Sequence, residues 1–436
     1  MRKALLSVGA FALASISLSG CSANPETKAD GTVTVLTAYS AVQVASMQSE
    51  FDSWSETSGI KVIVTTSTDI ASDLKAKIIV GEEPDLAIIP SPLDVDDLAN
   101  KGSLVPLDDA QGFDLTKAKA TLVPGWEPVV TAADNKIYGV PVRAYVNSMV
   151  FYNPVAFAQY DYKIPTTEAE LFALIDQIKA DGSGYPWCAG IEAGGGTGLP
   201  FADWVEKHFV DLYGPEDYYR WIDGEISFDS EAVSKSVDHV SEAMFADGNV
   251  DGGRTAMVTD GYANIAPLFL DGGKAEGQCF MSRERQSIAG LVTDPEVKNE
   301  LLTFNNVKLN AFPYPETTGG IGNGVTGAFD SLSILSGHTD SDVITVLQYM
   351  ASSDFGSDFV SGGWFLSPHK DFDISLYQGA MWKNFGAAIA DADFFAFDAI
   401  SLLPVEVRYE FLDSGTQFVG GIVDWGSAAK TIDSKY

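Results

Sequence analysis

Three short stretches place aromatic rings beside carboxylates, PFADW (200–204), VTDGY (258–262) and FFAFDAISLLP (394–404), and a fourth, GGWFLSPHK (362–370), sets them just before Asp371. Gly and Pro punctuate them, so they read as junctions between loops and regular elements. Rings that pack on C–H faces, next to carboxylates that accept from hydroxyls, suit recognition of a saccharide rather than bond making. Most single aromatics belong to a core, and Trp187, Trp221 and Trp382 are read that way. Trp204 and Trp364 stand beside polar residues in punctuated loops and are the better ligand candidates.

Catalytic chemistry finds no such support. There is no G-x-S-x-G, no recognisable Ser, His and Asp arrangement, and no carboxylate pair distinguished by spacing, so no enzyme is expected. GNGVTG (322–327) matches G-x-G-x-x-G on paper, but Pro313 and Pro315 precede it and a strand-like run follows, where a dinucleotide site needs strand, turn and helix. GGGTG (194–198) lacks the GK[ST] ending of a phosphate loop and reads as a place of close backbone approach. No cofactor is expected. The four histidines, His208, His239, His338 and His369, are far apart in sequence, with no CxxC or HExxH spacing, so no metal is expected either.

The 436 residues carry 27 Lys and Arg against 60 Asp and Glu, a formal charge of −33, which excludes nucleic acid as a natural partner. Two of the basic residues, Arg2 and Lys3, open a leader: positive charge, an apolar stretch at 4–17 too short to span a bilayer, then small residues. Leu18-Ser19-Gly20-Cys21 resembles a bacterial lipobox, which implies cleavage before Cys21 and acylation of it, with 1–20 as signal peptide and 21–30 as tether. Two cysteines remain, Cys188 and Cys279. In an oxidising compartment a disulfide is the economical outcome, with two buried thiols as the alternative.

The elements that must position these residues follow an α/β rhythm. VTVLTAY (33–39), KVIVTT (61–66) and the apolar run 86–89 read as strands separated by helices that stop at Gly59 and near Gly81. Sheets of this kind bind ligands at the carboxyl ends of their strands, which marks Tyr39, Ser40, Thr68, Asp69, Pro90 and Ser91. A second lobe is expected after YGVPVRAYVNSMVFYNP (138–154). TEAELFALIDQIKADG (167–182) is an amphipathic helix with Thr167 as cap and Leu171, Leu174, Ile175 and Ile178 on one face. FDSLSILSG (329–337) reads as a strand and 341–360 as a long helix.

Several motifs carry a family likeness: YPWCAGIEAGGGTGLPFADWVEK, GPEDYYRWIDGEISFDSEAV, NVDGGRTAMVTD, GQCFMSRERQS, GGWFLSPHKDFDISLY and the ending FVGGIVDWGSAAKTIDSKY. The chain resembles the extracellular solute-binding proteins of ABC sugar importers, and more narrowly their alpha-glucoside-binding subgroup. The resemblance implies an α/β fold of two lobes in the manner of periplasmic binding proteins, with a hinge and an interlobe ligand cleft. It places lobe one at 31–142 and 308–349 and lobe two at 148–307 and 350–436, with crossings near 143–147, 307–308 and 349–350. Both remaining cysteines fall in matching motifs, which favours the pair.

Carried over residue by residue, Asp203 and Trp204 would face the cleft from a helix start, Asp260 and Tyr262 from a strand end, and Asp398 from a loop wrapping the sugar. Trp364 would stack on the ligand. Tyr39, Ser40, Asp69 and Ser91 would close from lobe one, with Arg143 and Tyr145 on the crossing strand. Two positions depart from the subgroup: Asn147 stands where a lysine is common, and Ser401 where a second acid follows FD. The implied protein is a monomeric, lipid-anchored receptor on the outer face of a bacterial membrane. It would capture an alpha-linked oligosaccharide such as maltose, sucrose or trehalose and deliver it to permease subunits. A receptor for a beta-linked or plant oligosaccharide, a surface glycoside hydrolase and an adhesin are the alternatives.

Overall fold

The computed structural model describes residues 31–270, 273–290, 292, 294–303, 307–362 and 365–436, without the side chains of 289, 290, 297, 301–303, 361 and 362. Cys21, the leader and Trp364 lie outside the described residues. Two sheets organise the rest. The larger holds β1 (Thr32–Thr37), β2 (Lys61–Thr66), β3 (Leu86–Ile89), β4 (Leu104–Val105), β5 (Val140–Val146), β10 (Gly324–Leu335) and β11 (Phe394–Phe397). Its order is β11-β10-β3-β1-β2, and β4 and β5 also pair with β10. The smaller runs β7 (Tyr185–Trp187), β8 (Cys279–Glu284), β6 (Met149–Tyr152), β9 (Asn310–Pro313).

Local sequence explains the first lobe directly. β3 is buried along its whole length, as an apolar strand covered on both faces must be. β1 pairs in parallel with β2 and β3, and the helices between them start where a side chain can cap: Ser40 before Ala41–Ser58, Asp69 before Ile70–Val80, Ser91 before Pro92–Asn100. Gly59, at φ 73°, ends the first of these helices in the left-handed region. In the second lobe Thr167 caps the helix Glu168–Asp181, which buries Leu171, Leu174, Ile175 and Ile178. GNGVTG is neither a loop throughout nor a nucleotide turn, because β10 begins inside it at Gly324. Gly198 of GGGTG does lie close to another chain segment: a Cβ there would sit 2.5 Å from the Leu412 carbonyl oxygen.

Chain crossings join the lobes. The first is abrupt: β5 ends at Val146, Asn147 donates its N–H to the Thr326 carbonyl at 2.8 Å, and Ser148 turns at φ 54° into β6. Two expected boundaries move. β9 pairs with β6, so the chain returns to the larger sheet between β9 and β10 rather than at 307–308. β11 pairs in parallel with β10, so it belongs to the larger sheet rather than to lobe two, and the chain leaves that sheet after Phe397. The segment after Met350 also stays with the first lobe, because buried Glu50 accepts N–H bonds from Gly356, Asp358 and Phe359 at 2.6 to 3.0 Å. These are long-range pairings with no local signature. Cys188 and Cys279 are joined in a disulfide that ties the end of β7 to the start of β8.

Candidate functional site

The carboxyl ends of β1 and β3, with β5 and β10 beside them, enclose a cavity of about 140 Å³ lined by Ala38, Tyr39, Gln43, Ile88, Pro90, Arg143, Tyr145 and Asp330. Arg143 is its centre. The guanidinium carbon lies 4.8 Å from the Tyr39 ring centre and 4.6 Å from that of Tyr145, so the cation is held between two π faces. Arg143 and Asp330 are partners in the β5–β10 ladder, and the register breaks immediately after Asp330. Such an irregularity re-aims a side chain. Tyr145 donates its hydroxyl to Asp330 Oδ2 at 3.2 Å, and Arg143 Nη1 stands 3.9 Å from the same oxygen. Burial pushes the Asp330 carboxyl up, against the pull of Arg143 and the tyrosines, and the same burial pushes both tyrosine phenols up.

Across the first crossing lies a second polar group. Asp203, in the helix Leu199–Ile222, takes a two-pronged bond from Arg285, with Nε at 2.5 Å and Nη2 at 2.6 Å. Glu206, Tyr262, Glu284 and Asp398 interact electrostatically with this pair. Burial raises the Glu206 carboxyl well above its ordinary range and pushes Glu284 up to about 8. Glu284 Oε2 and the Tyr262 hydroxyl are buried without a hydrogen-bond partner among the described residues. Two bonds tie this group to the larger sheet, Val146 N–H to Gln286 Oε1 at 3.2 Å and Asp398 N–H to the Gly327 carbonyl at 2.7 Å, and from the crossing Ser148 Oγ donates to the Asp203 carbonyl at 3.1 Å.

The residues expected from sequence divide accordingly. Tyr39, Arg143 and Tyr145 line the cavity, and Asp203, Tyr262 and Asp398 share the second group. Ser40, Asp69 and Ser91 sit at the expected strand ends, yet their side chains accept from Gln43, Ser72 and Asp94 as helix caps. Hydrogen bonds from Ser72 hold the Asp69 carboxyl below its usual range. Trp204 is 2% exposed, and its indole N–H donates to the Arg283 carbonyl at 3.1 Å, which places the ring in the second-lobe core. Asp260 instead lines a 90 Å³ pocket beside the disulfide, with Trp187, Asp251 and Asn264. Asp330, Gln43, Glu206, Glu284 and Arg285 were missed. For Arg285 the run SRERQ, alternating charge along a strand, was a usable signal.

His208 and His239, far apart in sequence, stack at 5.3 Å with Glu168 beside them, close enough together to suggest a metal centre. The hydrogen bonds argue otherwise. Arg283 Nη1 lies 3.2 Å from His208 Nε2, and a guanidinium can only donate, so Nε2 accepts and the ring proton sits on Nδ1. That proton goes to Thr317 Oγ1 at 2.8 Å, which in turn donates to Asp211 Oδ2 at 2.9 Å. Nδ1 has no lone pair to offer, and a bound cation would face Arg283. The cluster is an anchor for the second crossing: Asp211 also accepts from Gly324 N–H at 2.8 Å and pairs with Lys207.

Two α/β lobes joined by short crossings, with a polar cavity at the strand ends beside the first crossing, define a ligand receptor of the hinged kind. The chain matches the family model for bacterial extracellular solute-binding proteins over residues 38–273 and belongs to that family. It is similar to the osmoprotective compounds-binding protein GgtB of Synechocystis sp., 27% identical over 408 residues, covering 93% of this chain and 92% of the relative. It is 28% identical over 397 residues to the alpha-glucosides-binding periplasmic protein AglE of Rhizobium meliloti, covering 89% of this chain and 84% of the relative. Its fold is that of the bacterial solute receptor AcbH, with a TM-score of 0.71 at 16% identity over 93% of this chain and 98% of the other. RafE from Streptococcus pneumoniae gives 0.70 at 17% identity over 93% and 97%. No helix among the described residues is long and apolar enough to cross a membrane.

Proposed function

We propose that this chain captures a sugar, an alpha-linked glucoside or oligosaccharide, between its lobes and hands it to the membrane permease of an ABC importer. Cys21, acylated after removal of residues 1–20, tethers the monomer to the outer face of the membrane. The observation that carries this reading is the cavity around Arg143. Two tyrosine rings, a carboxylate and a guanidinium supply apolar faces together with both donors and acceptors, which is what a hydroxylated ring requires. The name of AglE points the same way, and that of GgtB adds a second reading, an osmoprotective compound. Selectivity comes from polar groups left unpaired when the wrong ligand enters.

A thermal-shift screen of the mature chain against alpha- and beta-linked di- and trisaccharides and small osmoprotectants tests this. A true ligand at a hundred times its Kd adds about 2.7 kcal/mol of stability. A rise with an alpha-glucoside and no product formed supports the sugar receptor. A rise only with an osmoprotectant moves the assignment to the second reading, and a flat panel sinks both.

A further inference from the structure

We propose that Asp330 is the specificity-determining residue of the first lobe: it accepts a hydrogen bond from one particular hydroxyl of the bound sugar, while Arg143 holds its carboxylate in place. The inference rests on the sugar-binding reading and goes beyond it to one residue and one ligand group.

Asp330 lines the cavity yet is itself buried, so its carboxylate is fixed rather than mobile. It stands on β10 at the one register break in the β5–β10 ladder, directly opposite Arg143. A local irregularity that leaves a charged side chain facing a cavity has a positioning effect that a regular strand would not have. The pairing around it is incomplete. Arg143 reaches Asp330 only at 3.9 Å, beyond hydrogen-bond length, and Arg143 Nε is buried with no acceptor among the described residues. Tyr145 supplies one donor at 3.2 Å and Tyr39 a second. A carboxylate has about four acceptor positions, so Asp330 retains capacity for a donor from the cavity. A buried donor without an acceptor, on a residue lining the same cavity, marks a site built for an oxygen-rich ligand that both gives and takes hydrogen bonds.

The test uses the sugar that the screen identifies, its set of monodeoxy analogues, and the full mature chain by calorimetry. The wild-type protein should lose affinity for one analogue about ten- to a hundred-fold, the range of a hydrogen bond to a charged group. Asp330→Asn should weaken the parent sugar by a similar factor and abolish discrimination against that same analogue. Additive losses, or an unchanged analogue profile in Asp330→Asn, overturn the inference while leaving the sugar receptor standing. If no sugar binds the wild type, both fall. Should Asp330→Asn not fold, Tyr145→Phe keeps the ring and frees Oδ2, so the penalty for the one analogue should grow. An unchanged penalty there overturns the inference.

Discussion

Asp211→Asn isolates the charge that fixes the second crossing. Asp211 accepts five hydrogen bonds: two from Lys207 Nζ at 2.7 and 2.6 Å, two from Thr317 at 2.9 Å, and one from Gly324 N–H at 2.8 Å. Asn keeps the shape but turns one acceptor into a donor, and each oxygen it could replace already faces donors. It also leaves Lys207, only 4% exposed, without its counter-charge. Removing one partner of a buried pair costs about 3–5 kcal/mol. That is a large part of the roughly 5–15 kcal/mol that holds a domain together. Burial already lowers the Lys207 pKa, with Asp211 opposing it. Without Asp211 the folded pKa falls further, so the variant gains relief where the lysine sheds its proton and loses stability as pH falls through that value. The deficit in urea unfolding should therefore be larger at pH 6 than at pH 9. Adding Lys207→Met should recover at least about 1 kcal/mol, as contacting residues couple. A loss below about 1 kcal/mol, a deficit indifferent to pH, or no recovery in the double variant would refute the role of Asp211 as anchor.

The Cys188→Ser, Cys279→Ser double variant opens a loop of 91 residues and should lose about 4.6 kcal/mol in equilibrium unfolding; a loss under about 1 kcal/mol would show the constraint to be idle. Glu284, held protonated by burial up to about pH 8 where an unfolded carboxyl titrates near 4.5, contributes stability that is full below pH 4.5 and lost as pH rises towards 8. Glu284→Gln should flatten that descent, and an unchanged stability-versus-pH curve would contradict its burial. Asp203→Ala leaves half-buried Arg285 without its acid and should lower stability by about 2–3 kcal/mol as well as weakening ligand binding; a fully stable variant with weakened binding would instead make Asp203 a pure ligand contact.

What could be seen in the sequence was what has a local signal. The apolar runs of β1 to β3, the Thr167 cap and the glycines that stop helices lie within a few residues of their consequences. Ser40, Asp69 and Ser91 stand at the expected strand ends and cap the helices there, and composition cannot separate the two roles, because the residue types that cap a helix at a strand end are also those that bind ligands there. The burial of the Trp204 ring has no local signature, because its indole N–H goes to the Arg283 carbonyl, 79 positions away on β8. β9 and β11 changed sheets because pairing partners are not written in a strand's own composition.

Arg143 shows why the site itself was only half legible. Taken alone, in VPVRAYV, it is a cation in an apolar strand beside a tyrosine, and nothing nearby says whether it meets solvent, a ligand or an acid. The acid that receives Tyr145's hydroxyl comes from 185 positions later, in a strand where FDS looks like any other polar interruption. Only the antiparallel register of β5 on β10, and its break after Asp330, turns a lone cation into a fixed donor and acceptor pair. An isolated arginine would favour an anionic ligand. The same arginine opposite a buried aspartate favours a neutral one that can both give and accept hydrogen bonds. The chemistry of the cavity is thus a property of the pairing, and it changes class if either member is removed.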